Sequence, residues 1–189
     1  MKPTSQNLTG QLLIAMPDMA DPRFHQSVVF VCAHSSTETM GLIINKHLSG
    51  VTFSGLLEQL DIASADAVPD LDIHYGGPVE TARGFVLHSS EYGAEETTVR
   101  VSDHFGLSAS LDILSDIAMG NGPKNALFTL GYAGWGPGQL EDEIGQNAWL
   151  SCPADPEIVI GLPVADKWSA ALKSMGIDPM LLSSDAGHA

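Results

Sequence analysis

Gly131-Tyr132-Ala133-Gly134-Trp135-Gly136-Pro137-Gly138-Gln139-Leu140-Glu141-Asp142-Glu143 is the stretch on which the reading of this chain turns. Its thirteen positions hold four glycines, one proline, two aromatic residues, one amide and three carboxylates. An ordinary loop needs no such density of special residues. Glycine permits positive φ and lets another group come close to the backbone. The apolar run Ala126 to Leu130 precedes the stretch and reads as a strand. Gln139 to Ile144 reads as the start of a helix, with acidic residues where the helix dipole favours them. The expectation is a strand, a tight glycine-rich turn with a partly exposed Trp135 near its tip, and a helix. Gln139 and Glu143 are four apart and share one helical face, and Leu140 and Ile144 share another that packs inward.

Working outward, short apolar runs punctuated by turn residues recur along the chain. Gln11 to Ala15, Val28 to Ala33 and Met40 to Ile44 read as strands, the last two as a hairpin. Thr52 caps a helix to Leu60, with Leu56, Leu57 and Leu60 on its buried face. Asp72 to Tyr75 is a short strand that stops at Gly76-Gly77-Pro78. Gly84 to His88 and Thr97 to Val101 are strands. A helix follows from Ser108 or Ser110 to Met119, striped by Leu111, Leu114 and Ile117 or Ala118. Ala148 to Cys152 and Glu157 to Gly161 read as two further strands. Asp166 to Met175 reads as a helix with Trp168, Leu172 and Met175 inward, and Asp178-Pro179 starts a last turn. Strands outnumber helices without alternating with them, which predicts an α+β domain with a mixed or antiparallel sheet.

At 189 residues, 44% hydrophobic and 16% charged, the chain suits one domain with a sizeable core. Residues 1–8 and 184–189 are expected to be loose. Polar residues break every apolar run before it could span a bilayer. The polar start, Met1 to Gly10, lacks a signal-peptide pattern, so the expected compartment is the cytoplasm. Cys32 and Cys152 sit in or beside apolar runs and are expected to be buried thiols.

Eight basic residues face 23 acidic ones, a formal charge of −15. No two basic residues are adjacent, and no helix-turn-helix pattern is visible. Binding to a phosphate backbone needs clustered cations, so direct contact with nucleic acid or an anionic membrane is not expected. A cation, a neutral small molecule or a basic protein remains a suitable partner.

Several motifs together resemble the YqgE/AlgH family. They are Leu12-Leu13-Ile14-Ala15-Met16-Pro17, Asp21-Pro22-Arg23-Phe24, Gly41-Leu42-Ile43-Ile44-Asn45, Gly76-Gly77-Pro78-Val79 and Val86-Leu87-His88. The Gly131 to Glu143 stretch, Asn147, Trp149 and the closing Gly187-His188-Ala189 complete the set, in order along almost the whole chain. Lys46-His47 departs from the expected basic-proline pair. The resemblance implies a compact α+β fold with a closed, barrel-like sheet surrounded by helices. It also implies a family with no established reaction and a transcriptional-regulator label that rests on genetics in one lineage.

The chemistry-bearing residues point to binding before catalysis. There is no G-x-S-x-G elbow, S-x-x-K or H-E-x-x-H, and His34-Ser35 and His88-Ser89 are neighbours on a strand whose side chains diverge. The spacing of Gly134, Gly136 and Gly138 with Pro137 between is not a dinucleotide fingerprint, and Glu141, Asp142 and Glu143 repel a phosphate. No metal or cofactor is expected. Gly76, Gly77, Pro78, His88, Trp135, Gln139 and Glu143 are the candidate ligand-binding residues. Glycine turns, an aromatic ring and a few polar groups suit a small-molecule or peptide groove. The two open readings are a non-enzymatic binding protein and an enzyme with a pocket near the glycine turns. The first predicts a groove of apolar and backbone groups. The second predicts a pocket with two titratable groups of shifted pKa in mutual reach.

Overall fold

The computed structural model describes residues 7–67, 71–93 and 96–182. The expected loose ends and the Gly187-His188-Ala189 motif fall mostly outside these residues. Leu8 falls inside them and is buried.

Three strands supply the centre: β1 (Gln11–Ala15), β2 (Val28–His34) and β3 (Thr39–Ile43). They pair antiparallel in the order β3-β2-β1, with Leu13 opposite Val29 and Val29 opposite Ile43. Their β-branched and leucine-rich runs suit strands buried on both faces. After the helix α1 (Phe53–Gln59) come β4 (Ile73–Tyr75), β5 (Val79–Ser89), β6 (Thr98–Arg100) and β7 (Phe105–Ser108). The helix α2 (Leu111–Ala118) leads to the long strand β8 (Ala126–Trp135). The helix α3 (Gln139–Gly145), the strand β9 (Trp149–Pro153) and the helix α4 (Val164–Ser174) complete the order.

The sheet runs β6-β7-β5-β8-β3-β2-β1-β9, with β4 lying parallel to β8 off this path and every other pairing antiparallel. It is mixed and barrel-like, as expected, but open, because β6 and β9 do not pair with each other. Strand alternation builds the core in three parts. Leu12, Ile14, Phe30 and Leu42 meet Phe85, Leu87 and Leu127 from the far half of the sheet inside one cluster, which α4 closes with Ala171 and Leu172. The sheet must curl for those residues to touch. On the convex side, Leu13, Val29, Val31 and Ile43 pack with Trp135, Leu140 and Trp149. Val86 and Phe128 pack with α1 and α2. Each fully buried large side chain contributes about 1.5–3 kcal/mol by leaving water.

Several local expectations are corrected. Glu157–Gly161 is a π-helical turn, not a strand. Its short apolar run fits either period, and the Asp155 carboxylate accepting from the Glu157 N–H starts a helical turn there. β7 (Phe105–Ser108) was not anticipated. On α2 the buried face is Ile113, Leu114, Ile117 and Ala118, while Leu111 is exposed. On α1 Phe53 and Leu57 are buried and Leu60 is exposed. Met175 is also exposed, and Lys167 takes an inward position on α4 that an apolar residue would be expected to hold. Thr52 caps α1 as expected, accepting from the Gly55 N–H at 3.1 Å.

Candidate functional site

The glycine-rich stretch is mostly strand. β8 continues to Trp135, where the Gly41 to Thr39 end of β3 pairs with Ala133 to Trp135. Only Gly136 to Gly138 form the turn. Gly138 has φ 72°, a left-handed conformation that glycine adopts without the Cβ penalty, and α3 begins at the next residue. Trp135 is therefore a strand-end residue only 5% exposed, and the expectation of a partly exposed turn aromatic is overturned.

The polar residues of the stretch form one network. The Gly136 N–H donates to Gln139 Oε1 at 3.0 Å, and Gln139 Nε2 donates to Glu143 Oε1 at 2.9 Å. Glu143 Oε2 accepts from two indoles, Trp135 Nε1 at 3.0 Å and Trp149 Nε1 at 2.8 Å. The i, i+4 spacing of Gln139 and Glu143 makes this possible, and β9 delivers Trp149 by pairing it with Ala15. Phe24 joins the two indoles, with ring centroids 5.6 Å from Trp149 and 6.3 Å from Trp135.

Phe24 sits in the short 3-10 turn Pro22–Phe24, which Asp21 caps by accepting from the Arg23 N–H. The same carboxylate holds the Arg23 guanidinium at 2.7 Å. Hydrogen bonding to Arg23 lowers the Asp21 pKa, and the Asp21 carboxylate raises that of Arg23. Between this turn and α3 lies a groove of about 450 Å³. Asp21, Arg23 and Phe24 form one wall, and Gln139, Glu143 and Gln146 the other. Pro78, Val79 and Gly134 close one end, with Trp135 and Trp149 beneath.

Of the seven candidate residues, Pro78, Trp135, Gln139 and Glu143 meet in this groove. Gly76 and Gly77 do not line it. They let β4 pass close to β8: a Cβ on Gly76 would lie 2.2 Å from the Gly131 carbonyl oxygen. His88 belongs to another part of the sheet. It is buried, with Nδ1 3.0 Å from the Ser89 carbonyl and Nε2 3.0 Å from Ser108 Oγ. Burial lowers its pKa, so the ring is neutral and Nδ1 carries the proton that the carbonyl accepts. In the sequence Asp21, Arg23 and Phe24 stand out as part of a motif and not as site residues, since nothing local to them signals α3.

Among the described residues no three or more His, Cys, Asp or Glu side chains are arranged to hold a metal ion. None of the described helices is long and apolar enough to cross a membrane. Cys32 and Cys152 are free and buried, and burial raises both thiol pKa values.

Comparison with known proteins places the chain. A family model described as AlgH-like matches residues 12–180. A UPF0301 protein of Jannaschia sp. is 52% identical, covering 100% of this chain and 99% of its own. One from Ruegeria pomeroyi is 56% identical over 97% of this chain and all of its own length. The solution structure of the AlgH protein from Pseudomonas aeruginosa superposes with a TM-score of 0.77 at 44% identity, covering all of both chains. A crystal structure of a Corynebacterium diphtheriae protein, 22% identical, shares the fold with a TM-score of 0.72 over 96% of this chain and 92% of that one. With the sequence motifs, the curled sheet and both kinds of relative in agreement, this chain belongs to the AlgH-like family.

Proposed function

We propose that the chain is a non-enzymatic binding protein of the cytoplasm whose groove receives a cationic group, a lysine or arginine side chain of a protein partner or the amine of a small ligand. The Glu143 carboxylate carries this reading. It is half-buried, its three hydrogen bonds come from neutral donors, and it makes no ion pair among the described residues. A partly desolvated anion of this kind gains most from a positive partner. The two indoles and Gln139 fix the carboxylate, so little ordering cost remains for the ligand. The exposed face of the groove also offers Phe24 for cation–π contact.

The shifted groups at the groove, Asp21 and Arg23, satisfy each other, which leaves neither poised for proton transfer. That favours binding over the enzymatic alternative. Any regulatory role then runs through a bound protein rather than through contact with DNA.

Calorimetric titration with lysine- and arginine-containing peptides tests the reading, with glutamate-containing peptides as controls. Basic peptides are expected to bind, and Glu143→Gln to weaken them roughly tenfold, the scale of one charge-assisted hydrogen bond. The glutamine oxygen still accepts from both indoles, and only the bond from Gln139 Nε2 is lost, because the new NH2 group is a donor. Equal affinity of the two proteins for basic peptides, or a preference for acidic ones, rejects the proposal.

A further inference from the structure

A second cavity, of about 320 Å³, lies away from the groove, between β4, the start of β8 and the stretch from the π-helical turn into α4. Its wall is about equally polar and apolar: Leu127, Ile160, Leu162 and Val164 line it together with Lys167, His74, His47 and Asp72.

Lys167 is 2% exposed. Its Nζ donates to the Val159 carbonyl at 2.6 Å and the Ile44 carbonyl at 3.2 Å. The π-helical turn presents the first of these carbonyls, a backbone irregularity of the kind often found at functional sites. An ammonium has three N–H groups, so one is left over. Among the described residues Lys167 makes no ion pair, so its charge has no counterpart.

His74 is 7% exposed, and its Nδ1 lies 3.2 Å from the Phe128 carbonyl, which can only accept. Nδ1 therefore holds a proton and Nε2, on the other side of the ring, has no hydrogen-bond partner among the described residues. His47 stacks on it with centroids 5.5 Å apart. The third feature is the start of α4, at Val164 on the cavity wall, which has no side-chain cap. Leading N–H groups of a helix favour negative charge.

We propose that this cavity binds a small monocarboxylate, with its apolar chain against Leu127, Ile160 and Leu162 and its carboxylate between Lys167, His74 and the first turn of α4. Burial pushes Lys167 down to about 8, and a bound carboxylate offsets that cost by giving the ammonium a partner. Burial lowers His74 as well, so its ring is neutral in the empty cavity and joins the carboxylate by taking up a proton at Nε2. Asp72 on the rim and Asp166 in the first turn of α4 are both exposed and oppose anions. They select against a multiply charged ligand such as phosphate and in favour of a single negative charge. The apolar part of the wall, Leu127, Ile160 and Leu162, adds the preference for a short hydrocarbon chain.

Isovalerate, its neutral isostere isovaleramide and inorganic phosphate are the probes, added to the 15N-labelled full chain at neutral pH. Isovalerate is expected to shift the amides of Leu71, Ala126 and Val164 saturably, with a Kd tighter than about 10 mM. Isovaleramide and phosphate should bind at least roughly tenfold more weakly. Lys167→Met should abolish the isovalerate shifts while the rest of the spectrum stays native. Asp72→Asn, an exposed change that leaves the fold alone, should tighten isovalerate severalfold, and this arm decides if Lys167→Met fails to fold. Equal binding of isovaleramide, preference for phosphate, no saturable shift, or unchanged affinity in either variant overturns the proposal.

Discussion

Glu143 and Lys167 show how differently two ionised side chains can be held. The carboxylate is braced by three N–H donors at the edge of a groove, and the ammonium by two backbone carbonyls at the end of a buried helix face. For Lys167 the consequence is a pH dependence with a defined sign. Its folded pKa of about 8 lies below the ordinary lysine value of 10.5, so the unfolded chain binds the proton more tightly. The penalty is fully present below about pH 8 and vanishes as pH rises through the unfolded value. It is at most on the order of 3 kcal/mol, since the two carbonyls favour the charged form and oppose burial. Urea unfolding of the native protein and Lys167→Met at about pH 7.5 and pH 10 checks this. The stability of the native protein relative to the variant should rise by at least about 1 kcal/mol at the higher pH. A difference that stays flat would show that the amine is not desolvated. Burial lowers the His74 pKa as well, so that ring does not change its charge between the two pH values.

At the scale of elements, β8 and α3 work as one unit. The strand ends in Trp135, three residues turn the chain, and α3 returns Leu140 to the same cluster and Glu143 to the same indole. Trp135→Ala and Leu140→Ala should therefore both destabilise strongly, by about 3–5 and 2–5 kcal/mol respectively. Thermal unfolding of the two variants side by side is the measurement. A Trp135→Ala protein that melts near the native temperature would mean that the ring is not part of the core. The sequence made much of this unit legible. The i, i+4 spacing placed Gln139 with Glu143 and Leu140 with Ile144, and short continuous apolar runs between turn residues located β1, β2 and β3. The turn was read too long because glycines inside a strand look the same as glycines in a loop. Gly131 and Gly134 serve β8, not the turn. β7 escaped notice because Phe105-Gly106-Leu107-Ser108 has little strand character alone and exists by pairing with β5 and β6. The half of the groove formed by Asp21, Arg23 and Phe24 was equally hidden, since only the tertiary fold brings the start of the chain to α3. Lys167 had a visible signal, its place between Val164 and Ala171 at helical spacing. A lysine is normally assigned to solvent, and that expectation prevailed.

For the whole molecule the net charge of −15 outweighs local detail at long range. Duplex DNA should not bind: fluorescence anisotropy at about 0.15 M salt, where the screening length is about 8 Å, should show no sequence-specific complex at nanomolar concentration. Such a complex would reverse the sign of the expected partner. The sheet also carries a consequence in time. β1 hydrogen-bonds on one side to β2, its neighbour along the chain, and on the other to β9, with Leu12 opposite Cys152. During synthesis at about 5–20 residues per second, β1 leaves the ribosome roughly seven to thirty seconds before its second partner. Throughout that interval the nascent chain presents Leu12, Leu13 and Ile14 on an unpaired strand edge, an open template for pairing with another chain. Native assembly is finished by its C-terminal third, so a truncation before Trp149 leaves the first strand permanently half-zipped.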